Sequence, residues 1–242
     1  MEYLQSAMGM GGGDAAATES SSAATAEDGL GEECAKAEEI LKMMLTTQTG
    51  CGPTPEVLKN AVGLAFLRIS KAGFLISGSF GTGCVVVRNN GKWSSPSAIS
   101  SKSVGSGVQA GAQILESLVV INTQEAVEAF TGGSLMLGTA LEMAVGPTGS
   151  GGEIPGCAGD GLVDVVPCYA YALSAGLFAG ISMEGVVLNE LSAVNTAFYG
   201  KAIEGRLILD GSADLPGALP AVASLHAALA AMDASLNGTA SQ

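Results

Sequence analysis

The stretch closest to a phosphate-binding loop is Gly146-Pro-Thr-Gly-Ser-Gly151-Gly152-Glu153. Such a loop cradles phosphate with backbone N–H groups. It then needs a Lys after its last Gly to reach the β- and γ-phosphates, and a Ser or Thr for magnesium. Gly152 and Glu153 stand at those positions, and a carboxylate repels phosphate. Gly78, Gly81 and Gly83 make no dinucleotide fingerprint either, because Val85-Val86-Val87 continues as a strand where a helix must begin. The single histidine, His226, falls beside apolar positions of a helical pattern, which suits a core or surface side chain better than a catalytic base. The five cysteines (Cys34, Cys51, Cys84, Cys157, Cys168) have no CxxC spacing, and one His cannot complete a zinc site. No Cys can be matched with a second His to make a nucleophile, and spacing defines no acid/base pair of carboxylates. These residues predict no enzyme, no cofactor and no metal. They point to a binding protein.

Composition narrows the class of partner. The chain has 242 residues with 48% hydrophobic and 14% charged, enough for one sizeable core and too apolar for a wholly disordered chain. Its 35 Gly follow no collagen period and sit inside apolar segments, as expected for tight turns and close backbone approach in a sheet. The net charge of −13 argues against nucleic acid. That charge is unevenly spread. Residues 1–35 carry seven acids and no Lys or Arg, residues 36–102 carry eight of the ten basic residues and three acids, and residues 103–242 carry thirteen acids and two basic residues. The middle segment is thus the candidate basic face. The first residues show no signal peptide or myristoylation pattern, and the apolar stretch around Cys168 to Leu188 carries Glu184 and reads as strands, so the expectation is a cytoplasmic protein with reduced thiols.

The elements that would position such a face follow from periodicity. Residues 1–33, rich in Ser, Ala, Gly and acids, are expected to be a flexible acidic arm. Cys34, Ala37, Leu41, Met44 and Leu45 share one face of an amphipathic helix over 34–45. Thr54-Pro55-Glu56 starts a second helix, expected to reach about Val62. Gly63 to Ile69, Gly73 to Ser77 and Cys84 to Arg88 read as short strands, Asn89-Asn90-Gly91 as a hairpin turn, and Lys92-Trp93 as the return. Leu118 to Ile121 reads as a strand, Asn122 with Glu125 as the cap of a helix through Phe130, Leu135 to Val145 as a strand, and 146–163 as a loop. From Tyr169 to Met183 large and small residues alternate with period two, one face mostly small, which fits a curved sheet with tight packing against it. Val222, Leu225, Leu229, Met232 and Leu236 give a terminal helix. The expected fold is α+β: a curved antiparallel sheet or barrel-like core with helices at both ends.

Several segments also stand in a recognisable order: Pro53-Thr-Pro55, Ala61-Val-Gly63-Leu-Ala65, Lys71-Ala-Gly73-Phe, Ser77-Gly-Ser-Phe-Gly-Thr-Gly83 and Gly91-Lys-Trp93-Ser94-Ser95-Pro96-Ser97. Gly138, Gly146-Pro147, Tyr169 to Gly180, Asn195 to Tyr199-Gly200 and Ile208-Leu-Asp-Gly211 follow. This series strongly resembles the SYLF domain, a lipid- and actin-binding module of endocytic adaptor proteins, across about residues 34–230. Residues 231–242 are left as a helix end and tail. The resemblance implies a non-enzymatic module that binds phosphoinositide-containing membranes, with actin filaments as a second partner and a peripheral location at membranes. It implies lipid contact through the amphipathic helix, here by Leu41, Met44 and Leu45. The candidate basic face comprises Lys36, Lys42, Lys59, Arg68, Lys71, Arg88, Lys92 and Lys102. Glu33, Glu38 and Glu39 on the helix work against anionic lipid, and no SH3 domain is expected in the chain. A carrier that holds an apolar ligand inside the curved sheet is the remaining alternative.

Overall fold

The computed structural model describes residues 15–46, 52–131, 135–150, 154–159, 166–213, 215 and 219–238. In chain order the elements are α1 (Ala15–Thr46), α2 (Pro55–Lys59), β1 (Gly63–Asn89), β2 (Lys92–Trp93), β3 (Ser97–Ile121) and α3 (Gln124–Thr131). Then come β4 (Leu135–Ser150), β5 (Ile154–Gly159), β6 (Val166–Glu190), α4 (Ser192–Tyr199), α5 (Gly205–Leu209) and α6 (Pro220–Gly238). The strands form one six-stranded antiparallel sheet in the order β2-β1-β3-β6-β4-β5, open rather than closed, with helices at both ends of the chain. The fold is α+β.

The strands are much longer than short apolar runs suggest. β1 is a single 27-residue strand that doubles back on itself. Its bend lies at Phe74 to Ile76, where the register with β3 shifts and Leu75 adopts a φ of 61°. Beyond the bend the second arm of β1 returns against the first. The Arg88 N–H donates to the Val62 carbonyl at 2.7 Å, and an added Cβ on Gly83 would lie 1.7 Å from the Phe66 carbonyl oxygen. Glycine is required there because backbone passes where a side chain would be. The hairpin turn forms as its residue types dictate, with Asn90 at φ 50° and Gly91 at φ 78°.

Alternation then sorts side chains into an outer and an inner face. The outer face (Leu64, Phe66, Cys84, Val86, Ala98, Leu118, Val120, Tyr171) is covered by α1 and α6, with Leu30, Cys34, Ala37, Ile40, Leu41 and Met44 packed against Val222, Leu225, Leu229 and Met232. The inner face (Ala65, Leu67, Val85, Val87, Ile99, Val119, Ile121, Cys168, Leu188) is plugged at the helix end by Ala126, Val127 and Phe130 of α3. α5 joins the two clusters, with Ile208 in the first and Leu209 in the second. Where β6 side chains are described the alternation is visible: Tyr171 and Leu173 enter the outer cluster and Ala170 the inner one; the side chains of 176–183 lie outside the described ones.

Several boundaries differ from the sequence reading. Helix α1 begins well before residue 34, and its Leu30 is fully buried, so the packed domain starts inside the stretch expected to be a flexible arm. Residues 1–14 lie outside the described ones. α2 stops at Lys59, with its expected cap in place: Thr54 Oγ1 accepts from the Val57 N–H at 3.4 Å. The cap of α3 is Thr123, whose Oγ1 accepts from the Ala126 N–H at 3.3 Å, and not Asn122. β4 and β5 occupy much of the expected 146–163 loop, including the first part of the phosphate-loop mimic.

A polar clamp ties α4 to the start of β3. Asn195 is wholly buried; its Oδ1 accepts from the Ala98 N–H at 2.8 Å, and its Nδ2 donates to Ser97 Oγ at 3.0 Å and Glu190 Oε1 at 3.1 Å. One helical turn on, the Tyr199 hydroxyl donates to the Pro96 carbonyl at 2.6 Å, and burial pushes that phenol far above its ordinary pKa. Gly200 then ends α4 at φ 70°, as a helix C-terminus favours.

Two outcomes test this account. Gly83→Ala should cost about 3 kcal/mol or prevent folding, since backbone must move to admit the methyl group; thermal unfolding measures it. Asn195→Ala should cost about 3 kcal/mol by leaving the buried Ala98 N–H donor and the Ser97 Oγ acceptor unsatisfied, and Tyr199→Phe about 1–2 kcal/mol. Chemical denaturation resolves both, and an Asn195→Ala protein as stable as the parent would refute the clamp.

Candidate binding surfaces

The eight basic residues of the candidate face do not share one surface. Lys36 is half-buried on α1 and bound to Glu33 at 3.0 Å. Glu33 in turn accepts from Thr82 Oγ1 at 3.0 Å, so this network fastens α1 to β1. Lys42 pairs with Glu38, and Lys42, then the Ser224 hydroxyl, hold that carboxyl below the usual carboxylate range. Arg68 is exposed but paired at 2.5 Å with Glu116, its cross-strand neighbour. Arg88 is bound at 2.5 Å to Asp233 of α6 and lies over the Trp93 ring, 4.5 Å from its centroid. The Trp93 indole donates to the other Asp233 oxygen at 2.9 Å. Lys71 is 3% exposed and turned inward, so it leaves the candidate face. Lys59, Lys92 and Lys102 remain exposed with no ion pair among the described residues. Lys59 and Lys92 stand at the helix end of the ribbon, beside Arg88, which donates to the Lys59 carbonyl at 3.1 Å. Lys102 stands part-way toward the bend, across from Phe80.

The proposed lipid-facing helix is also corrected. Leu41 and Met44 are buried against the sheet and α6, and only Leu45 of the three is exposed. The amphipathic period was real, but this domain's own core uses it, as a helix with one apolar stripe usually does. Among the described residues no helix is long and apolar enough to cross a membrane.

Exposed apolar surface lies elsewhere, at the bend of the ribbon. Phe74 is 74% exposed, Ile76 67%, Val104 69% and Val108 81%, with Leu75 beside them. Phe80 and Ile114 are exposed further along the outer face. None belongs to either core cluster. A readable signal for this region exists in the chain. Residues 57–115 contain six Lys or Arg and no Asp or Glu, in a protein of net charge −13. Three consecutive large apolar residues, Phe74-Leu75-Ile76, sit within that window.

Inside the ribbon the inner face turns polar beyond the α3 plug. Lys71 and Gln113 are direct cross-strand partners, and Ser79 and Ser103 face each other with Oγ atoms 2.6 Å apart. All four border an open cavity of about 720 Å³, whose wall also includes Phe80 and Ile114 from the outer face with Ala72, Ala112 and Ala175. Ser77 and Ser174 are buried nearby, their hydroxyls without a hydrogen-bond partner.

The remaining sequence candidates are structural. His226 Nε2 sits 2.8 Å from the Ser94 carbonyl, and Ser94 Oγ accepts from the Val87 N–H at 3.0 Å. Cys34 and Cys84 are free buried thiols; a hydrogen bond with Cys34, then burial, pushes the Cys84 thiol well up, opposite to what a nucleophile needs. Cys168 is disulfide-bonded, against the expectation of fully reduced thiols. The described residues hold no cluster of His, Cys, Asp and Glu fit for a metal.

Comparison with known proteins places this arrangement. Residues 102–232 match the family model Ysc84, described as "Las17-binding protein actin regulator". The chain is 37% identical over 195 residues to the fission yeast "SH3 domain-containing protein PJ696.02", covering 78% of this chain and 45% of that one. It is equally 37% identical over 195 residues to "Protein YSC84" of Saccharomyces cerevisiae, covering 78% and 41%. To the human "SH3 domain-containing YSC84-like protein 1" it is 38% identical over 193 residues, covering 77% and 55%. The chain thus spans about half the length of these relatives, and no solved structure gives a significant match. The ordered motifs, the family model and relatives above 30% identity over three quarters of the chain agree: this chain belongs to the Ysc84, or SYLF, family.

Proposed function

We propose that the chain is a non-enzymatic adaptor module of actin regulation that binds anionic, phosphoinositide-containing membranes from the cytoplasmic side. The acid-free span 57–115 carries the reading. It forms the end of α2, all of β1 and β2 and most of β3, so a long segment free of acids makes up the outer ribbon of the sheet. Each Lys or Arg near such a surface contributes about 1 kcal/mol. Lys102, unpaired and exposed between the helix layer and the bend, is the residue best placed to contribute.

A second reading, actin-filament binding, is favoured by Lys59 and Lys92. They stand exposed at the helix end, away from the bend, and an acidic filament would be attracted there. The family description as an actin regulator supports it. The apolar-carrier reading has less support, since the cavity is wide open to solvent rather than enclosed.

Flotation with phosphoinositide-containing vesicles at low and near-physiological salt tests the first reading. Binding should fall steeply with salt. Lys102→Glu should weaken it by about 2 kcal/mol, one for the lost cation and one for the added anion. Absence of flotation at any salt would sink the membrane reading. In F-actin co-sedimentation, Lys59→Glu with Lys92→Glu should reduce pelleting and leave flotation intact; unchanged pelleting would remove the second reading.

A further inference from the structure

We propose that the bend of β1, with Phe74, Leu75 and Ile76 flanked by Val104 and Val108, is a bilayer-penetrating tip, taking the place that the amphipathic helix was expected to fill. The inference rests on the membrane reading above and names the element that enters the lipid.

Three observations carry it. First, the tip residues are large, apolar and mostly in solvent, and they lie together: Phe74 pairs with Ala110 and Ile76 with Ser106, on either side of Val108. A contiguous exposed patch of this kind marks an interaction surface. Second, the backbone is strained to present it. Leu75 holds a φ of 61°, a region that glycine enters freely and leucine does not. Strain of this sort persists at functional sites when other forces hold it. Third, the charge of the surroundings fits lipid. The tip lies inside the acid-free window, and the nearest ionic side chains described on the outer face are Lys102, Arg68 and the Glu116 that Arg68 binds. A surface that presents apolar residues at its point and cations behind them matches an anionic bilayer, whose acyl region takes the first and whose headgroups attract the second. The same charge disfavours a second copy as the occupant, because two acid-free ribbons would repel.

Vesicles of phosphatidylcholine, phosphatidylserine and a phosphoinositide test the tip in the full chain. The Phe74→Ser/Ile76→Ser/Val108→Ser variant should melt as the parent does, since these side chains are exposed, yet bind vesicles at least tenfold more weakly. Leu75→Gly relieves the backbone and should hold or raise the melting temperature while also weakening binding, so lost flotation cannot be assigned to unfolding. In the F74W variant, brominated acyl chains should quench the added indole. Trp93, held against Asp233 and Arg88 at the helix end, should stay unquenched in the parent. Parent flotation with unchanged variants and no quenching would overturn the tip and leave the membrane reading standing. No flotation of the parent would overturn both. Tip substitutions that dissolve a dimer in light scattering, with flotation unaffected, would assign the patch to a second copy and overturn the lipid assignment.

Discussion

Everything in this fold follows from one close approach. The two arms of β1 pass so near each other that Gly83 has no room for a methyl group beside the Phe66 carbonyl. That contact sets the curl of the sheet. The curl gives it an inside, where α3 seals an apolar end, and an outside, where α1 and α6 dock. It also creates the bend at Phe74 to Ile76, because a strand that returns on itself must turn somewhere. A flat sheet from the same residues would bury neither face so completely and would present no point.

The sequence carried the types of elements well and their extents poorly. The helical period at 34–45, the Thr54-Pro55 start, the Asn89-Asn90-Gly91 turn and the alternation from Tyr169 all reappear, because each is a local rule with a local cause. Strand length was not legible. Gly73, Gly78, Gly105 and Gly107 look like breaks when read along the chain, yet they lie within continuous strands whose pairing partners are remote in sequence. The binding surface was legible only in part. Charge marked out a candidate segment, but alternation decides which cations face outward: Lys71 lies inside and Lys102 outside. Leu41 and Met44 show the same limit: an apolar stripe states that a helix is covered, not by what.

The family motifs take on a different meaning once placed. Trp93 to Ser97 and Asn195 to Gly200 meet each other through the Asn195 and Tyr199 hydrogen bonds, and Trp93 is tied to α6 through Asp233. Gly205 completes this junction, since an added Cβ would lie 2.6 Å from Ser97 Oγ. These motifs hold the helix layer to the sheet. Residues on the exposed ribbon are then free to differ without disturbing that joint.

The ribbon itself has a mechanical consequence. β1 and β3 each run from the helix layer to the bend and back as continuous extended chain, 27 and 25 residues long. Extended backbone rises about 3.3 Å per residue, close to the limit a chain can reach, so it has almost no slack to give up. A pull at the bend is therefore carried along covalent backbone to the residues under α1 and α6 and cannot be absorbed by stretching. A displacement at one end is felt at the other, as along a stay rather than a spring.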